Sequence, residues 1–401
     1  MNTVIYGAGN IGRGFIGQLF SRANCKVTFI DIAENIVNAL KEKGAYPVRF
    51  LSNEKTEEIL ITGVTAVNGA DSQEVIDCIA EADIIATAVG VRALPSIAPL
   101  IAGGLKKRFQ ISAAALNIII CENLLDADKY LSDLIKKNLD DREIKLLEEY
   151  VGFVETSIGR MVPLQTPQMQ EGNILRICTE KYAFIPVNRD AFKGEIPKIE
   201  GIIPFSNFDF LTQRKIYIHN MGHALCGYLG LLLGETYISD TAARADVLLI
   251  VQNAMFESAA ALNRKFKVEL QDIIDHVRDL LLRFNNRSLK DTCRRVGSDI
   301  ERKLGNTDRF IGAINCCLEQ GVTPAFISIG AAAALYCLLK ERRMAQTEKN
   351  ALAMLGEIAG IEKNSAKADL ILEMYIKILQ GSTPQGLLHY ALLLGSKAGV
   401  L

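Results

Sequence analysis

The sequence carries no excess of either charge, and this absence limits the partners that we expect. Lys and Arg total 45 and Asp and Glu total 46, which gives a formal net charge of -1. Proteins that bind nucleic acid neutralise phosphates with surplus Lys and Arg, so we expect no nucleic-acid partner. Apolar residues make up 49% and charged residues 23% of the 401 residues, which is typical of a folded globular protein.

Long apolar runs are absent as well. The longest nearly uncharged run, 326–339, has about 14 residues, whereas a helix needs about 20 to cross a bilayer. We therefore predict a core helix there and no association with a membrane. A strand-like run begins at residue 3, so we expect no N-terminal signal peptide.

Metal-binding patterns are missing too. The nine cysteines contain no C-x-x-C pair and the four histidines show no H-E-x-x-H spacing. We therefore expect no metal site. Because most of the cysteines lie in apolar stretches, we expect free thiols and a cytoplasmic protein.

Short apolar strands alternate with helical stretches in the first half of the chain. Such alternation predicts βαβ units and a mostly parallel sheet. Strands are predicted at 3–6, 26–32, 83–89 and 117–121, a later pair of strands at 174–178 and 183–187, and helices at 13–23 and 34–43.

The strand signals fade after about residue 195 and long helical periods replace them. Three of these periods cover 210–233, 241–266 and 270–284, and a segment with two prolines, 194–204, precedes them. We predict an α/β fold in two parts: a Rossmann-type domain over 1–195 and an all-α domain over 196–401.

A glycine-rich turn joins the first predicted strand to the first helix. Its residues Gly7, Ala8, Gly9, Asn10, Ile11 and Gly12 form G-x-G-x-x-G in the context that binds a dinucleotide. Gly7 permits the tight turn, Gly9 lets a pyrophosphate approach the backbone, and Gly12 lets helix and strand pack closely. The helix N-terminus supplies N–H groups for the phosphate charge.

Two further segments belong to the predicted cofactor site. Asp31 ends the second strand, 19 residues after Gly12, where an acid accepts hydrogen bonds from ribose hydroxyls and repels a 2′-phosphate. NAD is thus favoured over NADP, although Asp31 alternatively only caps the next helix. Ala88, Val89 and Gly90 end another strand and are expected beside the cofactor or in a plain small-residue turn. Arg13 is expected near the pyrophosphate or in solvent.

Three polar residues interrupt an apolar stretch early in the helical part. On a regular helix Asn220 and His223 lie at about 140° and about 80° from Lys215, on one broad face. A desolvated lysine is suited to be a general base, and an asparagine amide donates to a developing oxyanion. The spacing alone is a weak signal, because a lysine at a helix start often reaches solvent instead.

Several segments together resemble the polyol-specific long-chain dehydrogenases. They are the opening 7–17, the stretches 151–155, 215–223 and 302–304, and the shorter matches 87–90, 119–123, 192–194 and 308–309, with Arg160 and Pro163. The resemblance implies a zinc-independent mechanism with Lys215 as base. It also implies an oxyanion pair of Asn220 and Asn123, and His223 as a substrate contact.

The chain departs from the family pattern at two positions. Gly159 replaces an acid that family members often have, and Thr212 replaces an acid that some free-polyol enzymes have three residues before the lysine. A role for either acid is therefore not expected here. Asn123 has an alternative role as a helix cap at a strand end.

The length and the motifs resemble the phosphate-specific branch of the family. The expected reaction is the NAD-dependent interconversion of D-mannitol 1-phosphate and D-fructose 6-phosphate, by a monomer or small homo-oligomer. Arg302, Lys303 and Arg309 are the candidates for binding the substrate phosphate, although a solvated helix face paired with nearby acids explains them as well. The alternatives are the same chemistry on a free polyol or hexuronate, and a catalytically silent NAD-binding sensor.

Overall fold

The protein divides into two compact units, Met1–Leu211 and Thr212–Leu401. The structure is a computed structural model and describes residues 1–112 and 114–397. The sequence predicts a domain boundary at residue 195, whereas the two units divide after Leu211. The intervening residues include strand Ile202–Phe205, which pairs with Ile185–Asn188 and so belongs to the first unit.

Unit 1 is built around a six-stranded, fully parallel sheet. The strand order is β5-β2-β1-β6-β7-β8, which is the order of the Rossmann fold and confirms the predicted fold class. The strands are β1 (Asn2–Tyr6), β2 (Lys26–Asp31), β5 (Val64–Asn68), β6 (Ile84–Thr87), β7 (Leu116–Ile120) and β8 (Val151–Glu155). Their carboxyl ends meet at one edge of the sheet.

Five strands outside this sheet were only partly foreseen. β3 (Ala45–Phe50) pairs antiparallel with β4 (Glu57–Thr62) and parallel with β9 (Ile177–Thr179), and β10 (Ile185–Asn188) pairs with β11 (Ile202–Phe205). The two strands predicted at 174–178 and 183–187 correspond to β9 and β10, which pair with different strands. Their alternation predicts strands but does not specify partners, which lie far away in sequence.

The helices of unit 1 cover both faces of the sheet, and each face has its own apolar core. They are α1 (Gln18–Arg22), α2 (Glu34–Lys43), α3 (Ser72–Ala80), α4 (Leu94–Ile111), α5 (Ala127–Lys136), α6 (Asp141–Tyr150) and α7 (Pro167–Gln170). Local signals fix several ends. Gly44 stops α2 in a left-handed conformation, and Asp140 and Glu143 form a capping box at α6.

The first helical segment is not α-helical at its start. Residues Gly12–Gly17 form a π turn, and α1 follows it. A π turn leaves backbone carbonyls to be satisfied by other groups. The Tyr46 hydroxyl donates to the carbonyl of Arg13 at 2.8 Å, and the Arg160 guanidinium donates to the carbonyl of Gly14 at 2.7 Å while lying over the Phe15 ring.

Unit 2 is helical throughout its described length. Its helices are α8 (Phe208–Arg214), which begins in unit 1, α9 (Met221–Leu233), α10 (Ile238–Ala242), α11 (Ala245–Phe266), α12 (Leu270–Phe284), α13 (Cys293–Val296), α14 (Ile300–Lys303), α15 (Ile311–Glu319), α16 (Ala325–Glu341), α17 (Glu348–Ala359), α18 (Ala366–Leu379) and α19 (Pro384–Lys397). Predicted helix 270–284 coincides with α12. Predicted helix 210–233 is instead α8 and α9 joined by a π turn.

Two apolar helices dominate the core of unit 2. The uncharged run predicted to be a core helix is α16, whose residues from Ala325 to Leu335 are all buried. Among the described residues, α11 is the one helix long and apolar enough to cross a membrane by length and composition. Half of its apolar window is buried inside the protein, as in the core helix of a globular unit.

Candidate functional site

The glycine turn of unit 1 is shaped by two close backbone approaches. Gly7 has a φ of +105°, and a Cβ on it would lie 2.4 Å from the carbonyl oxygen of Ala88. A Cβ on Gly12 would lie 1.9 Å from the carbonyl oxygen of Gly7. Neither position accepts a side chain, which agrees with the roles predicted for them.

Gly9 differs from the other two glycines, because a Cβ there would meet no atom within 4 Å. The backbone at Gly9 is thus open on the side where a ligand could approach it. The segment lies at the carboxyl end of β1, beside β6 where the strand order reverses, which is where doubly wound sheets bind nucleotides. The turn therefore fits a dinucleotide pyrophosphate.

Asp31 stabilises this turn and also contacts the residue that precedes the next helix. Its Oδ2 accepts a hydrogen bond from the Ala8 N–H at 2.7 Å, and its Oδ1 accepts one from the Ala33 N–H at 2.9 Å, at the N-cap of α2. A carboxylate has about four acceptor sites. Capping thus leaves acceptor capacity for the hydroxyls of a ribose, and the two roles foreseen for Asp31 are compatible.

Arg13 is turned into the protein. Its Nε donates to the carbonyl of Ala8 at 2.6 Å and its Nη1 donates to the carbonyl of Leu175 at 2.6 Å. Burial lowers the pKa of Arg13 to about 10. The expected position in solvent is therefore wrong, because the guanidinium is buried and donates to the backbone of the turn, and a position near the pyrophosphate stays a prediction.

The loop after β6 is held by a carboxylate that the sequence analysis did not single out. Glu122 follows β7 and accepts hydrogen bonds from the N–H groups of Val89 and Gly90, each at 2.9 Å. Burial raises the pKa of Glu122, although these two hydrogen bonds act to lower it. Glu122 lies in the segment 119–123 that carries the family resemblance. Its position directly after a predicted strand was the signal that could have identified it. Asn123 follows in an exposed bend at the same sheet edge.

In unit 2 the predicted catalytic residues lie on and just after a π turn. Lys215–Asn220 form this turn and α9 continues from Met221. The regular-helix geometry expected for Lys215 and Asn220 is therefore wrong, since i→i+5 bonding places more residues in one turn than i→i+4 bonding. Lys215, Asn220 and His223 are half-buried, whereas residues 218, 219, 221, 222 and 224–230 are buried.

His223 lies next to the ion pair of Asp291 and Arg295. Its Nε2 lies 3.1 Å from Oδ2 of Asp291, at ion-pair distance although the ring N–H is not aligned with that oxygen. Arg295 donates to both oxygens of Asp291, at 2.7 and 2.6 Å. The His223 ring also stacks on Phe284, with ring centroids 5.2 Å apart.

Asp291 is a residue that sequence reasoning missed. It lies 68 positions after His223, so no local spacing connects the two. Burial alone would raise the pKa of Asp291, but its contacts with His223 and Arg295 outweigh burial and lower the pKa to about 2. The carboxylate is therefore charged at any ordinary working pH.

Two further histidines near this face are kept neutral. Burial, reinforced by Arg283, holds the pKa of His219 well below its usual range. Burial, with the positive charges of Arg214 and Arg283, lowers the pKa of His276 to about 3. His219 lies 6.4 Å from His223 between ring centroids.

The three candidates for phosphate binding have internal partners. Arg302 pairs with Asp299 and Asp308, and Arg309 pairs with Asp308 at 2.9 Å. The buried Lys303 ammonium donates to the carbonyls of Val296 and Ser298, and burial lowers the pKa of Lys303 to about 7.

The segment that carries these residues adjoins the π turn. The Tyr217 hydroxyl is 3.5 Å from the carbonyl of Thr307, and a Cβ on Gly312 would lie 2.8 Å from the Tyr217 ring. Unit 2 thus packs the loop before Arg309 against the turn that contains Lys215 and Asn220.

Comparison with known proteins identifies the family of the chain. The sequence matches the mannitol dehydrogenase Rossmann domain over residues 1–201 and the mannitol dehydrogenase C-terminal domain over residues 207–375. The chain belongs to the mannitol dehydrogenase family.

Solved structures of similar fold agree with this assignment. A D-sorbitol dehydrogenase in substrate-free form matches 96% of this chain and 94% of its own, with a TM-score of 0.78 and 14% identity. The mannitol 2-dehydrogenase of Pseudomonas fluorescens, in a ternary complex with NAD and D-mannitol, matches 97% of this chain and 94% of its own, with a TM-score of 0.76 and 15% identity. At these identities the likeness is one of fold.

In this mannitol dehydrogenase family member, no group of three or more His, Cys, Asp or Glu side chains within residues 1–112 and 114–397 is arranged to hold a metal ion. The nine cysteines are free thiols, seven of them buried. Lys215, Asn220 and His223 stay the residues predicted for the chemistry.

The contrast between the open position Gly9 and the crowded position Gly12 gives a first prediction. Gly12→Ala should destabilise unit 1 by about 1–3 kcal/mol or more, because the new methyl would overlap the Gly7 carbonyl. Gly9→Ala should leave stability unchanged and weaken NADH binding about tenfold or more, because the methyl would occupy the open side of the turn. Thermal unfolding and titration of NADH fluorescence measure the two effects. Equal effects of both changes on stability would contradict the assigned roles.

The neutral histidines give a second prediction. The unfolded chain takes up protons below about pH 6.5 that folded His219 and His276 refuse, so stability should fall as pH decreases from 7 to 5. Each histidine contributes at most ~1.4 kcal/mol per pH unit. His276→Gln should therefore reduce the slope of unfolding free energy against pH in urea titrations. His389→Gln, at an exposed position, is the control, and identical slopes in all three proteins would refute the prediction.

Proposed function

We propose that this protein is an NAD-dependent oxidoreductase that interconverts D-mannitol 1-phosphate and D-fructose 6-phosphate, the reaction of a mannitol-1-phosphate 5-dehydrogenase. The observation that carries the proposal is that Lys215, Asn220 and His223 are half-buried polar residues on and just after the π turn, whereas residues 218, 219, 221, 222 and 224–230 are buried. Family membership adds support, because the mannitol dehydrogenase domains match at both ends of the chain.

The cofactor proposed for unit 1 is NAD. Gly7, Gly9 and Gly12 shape the turn for its pyrophosphate, and Asp31 retains acceptor capacity for ribose hydroxyls and repels the extra phosphate of NADP. Support comes also from the mannitol 2-dehydrogenase of similar fold, which was solved with NAD. When bound, the nicotinamide accepts or supplies the hydride.

The residues of unit 2 supply the proton and the contacts to the substrate. Lys215 takes the hydroxyl proton during oxidation and returns it during reduction. The Asn220 amide donates to the oxygen on which negative charge develops, and the resemblance assigns the same role to Asn123. His223 holds a substrate hydroxyl. No step needs a metal ion.

The phosphate proposal rests on the basic segment that adjoins the Lys215 turn. Arg302 is half exposed and Arg309 belongs to the same cluster around Asp308. A guanidinium has five donors, so each arginine retains N–H groups beyond its pairing with the acid. Lys303 is the weakest of the three candidates, because its buried ammonium already donates to two carbonyls.

A second candidate is the same chemistry on a free polyol or hexuronate. The pairing of Arg302 and Arg309 with Asp299 and Asp308 favours it, since these acids offset part of the positive charge. The two enzymes of similar fold are named for sorbitol and mannitol. A silent NAD-binding sensor, the third possibility, predicts NADH binding without turnover.

The third prediction tests the base. Lys215→Ala should lower kcat by about 10²–10⁴-fold, because general-base catalysis contributes that much, while NADH binding stays near normal. The exposed Lys349→Ala is the matched control. Steady-state rates and NADH titrations decide the matter, and a variant that keeps more than about a tenth of kcat contradicts the assignment.

The fourth prediction tests the substrate class. At fixed NADH, D-fructose 6-phosphate should exceed D-fructose by at least ~10³ in kcat/KM, because two charge-assisted contacts are worth about that much. Arg302→Ala, Lys303→Ala or Arg309→Ala should reduce the ratio at one position at least, whereas Arg278→Ala, an exposed arginine of α12, should not. Comparable rates with the two sugars, or a preference for a hexuronate, would support the second candidate instead.

A further inference from the structure

Asp291, which lies 3.1 Å from His223, is outside the set of residues proposed for catalysis. Asp291 lies two residues before α13, and Arg295, four residues later, donates to both of its carboxylate oxygens. Phe284, at the end of α12, stacks on the His223 ring with an interplanar angle of 22°. The imidazole therefore stacks on an aromatic ring, and its Nε2 lies 3.1 Å from a carboxylate oxygen.

The carboxylate is itself fixed in place. The Asp291 side chain is 9% exposed, and a buried carboxylate is costly unless it is paired. Arg295 supplies that pairing with two parallel donors, which is a geometrically specific arrangement. Asp291 therefore presents a permanent negative charge in one orientation.

That charge selects one orientation of the imidazole. Turning the ring over would place a carbon atom against Oδ2 of Asp291 and remove the Nε2 contact at 3.1 Å. A carboxylate beside a ring nitrogen also favours the tautomer with its proton on that nitrogen. The other nitrogen, Nδ1, is then an acceptor in the neutral ring.

We propose that Asp291 is a positioning residue for substrate recognition: it holds His223 with Nε2 toward the carboxylate, so that Nδ1 is the nitrogen that accepts a hydrogen bond from a substrate hydroxyl. This inference rests on the proposed function, because it takes His223 as a contact of the sugar. It assigns the Asp291 carboxylate to orientation of the histidine and not to contact with substrate.

The first experiment is a double-mutant cycle with Asp291→Asn and His223→Gln. Asparagine keeps the shape and loses the charge, so Asp291→Asn should raise KM for the keto substrate about tenfold, the effect of one charge-assisted contact. The kcat value and NADH binding should change little. In the His223→Gln background, Asp291→Asn should add little further effect, since its role acts through the histidine.

A matched control separates this role from general stability. Asp275 pairs with Arg278 on α12 in the same unit at 2.9 Å, and its described partners include no histidine. Asp275→Asn should leave KM unchanged. Thermal unfolding of every variant identifies losses that are merely structural, and Asp291→Glu, which retains the charge, should restore part of the KM.

A second experiment does not depend on turnover. Long-range ¹H–¹⁵N correlation spectra of the histidine rings, with His223 assigned from His223→Gln, should show the Nε2–H tautomer in the wild type and a mixture in Asp291→Asn. A wild-type His223 mainly in the Nδ1–H form overturns the inference, as do additive effects in the cycle. An enzyme without turnover on any sugar refutes the proposed function, and the spectra then still test the orientation.

Discussion

Backbone polar groups that leave regular structure must find a partner, and in this protein buried charged side chains provide it. Arg13 and Arg160 donate to carbonyls at and around the first π turn. Glu122 accepts from two N–H groups of the loop after β6, and Asp31 accepts from the glycine turn. The glycine turn, the first π turn and the loop after β6 thus each have an ionic partner. The shape of the predicted nucleotide site depends on this pairing as much as on its glycines.

The need to pair backbone polar groups also applies in unit 2. There it gives a structural role to a residue that the sequence suggests as a ligand contact. Lys303 donates to the carbonyls of Val296 and Ser298, so its charge stabilises a loop. Glu257, on α11, accepts from the first N–H groups of α16 at 2.9 and 3.0 Å, and burial raises its pKa to about 8. A charged residue in a helical unit is therefore weak evidence for a ligand site until its backbone partners are known.

The sequence could predict those features that depend on interactions between residues close together in the chain. The parallel sheet, the glycine turn and α12 depend on local periodicity and local sterics, and the structure shows each of them. The π turns at Gly12–Gly17 and Lys215–Asn220 could not be predicted, because the choice between i→i+4 and i→i+5 bonding depends on distant partners. In the first turn these partners are Tyr46 and Arg160.

In the candidate site, too, residues with a local signal were predicted and a residue with a distant partner was not. The Lys215, Asn220 and His223 segment was found because its polar residues interrupt a short apolar stretch, which is a local signal. Asp291 was missed because a contact across 68 residues leaves no trace in spacing. The three phosphate candidates were predicted without an order, and Lys303 is the weakest because its ammonium donates to the carbonyls of Val296 and Ser298.

Two buried carboxylates show how the partner decides the chemistry of such a group. Glu122 has backbone N–H groups as partners, and burial still raises its pKa. Asp291 has a guanidinium and an imidazole, and its pKa is lowered to about 2. Dipoles satisfy a carboxylate without compensating its desolvation fully, whereas a fixed cation does both. The negative charge beside His223 is therefore permanent because Arg295 donates to both oxygens of Asp291. In the proposal above, this permanent charge lets Asp291 determine which nitrogen of His223 contacts the substrate.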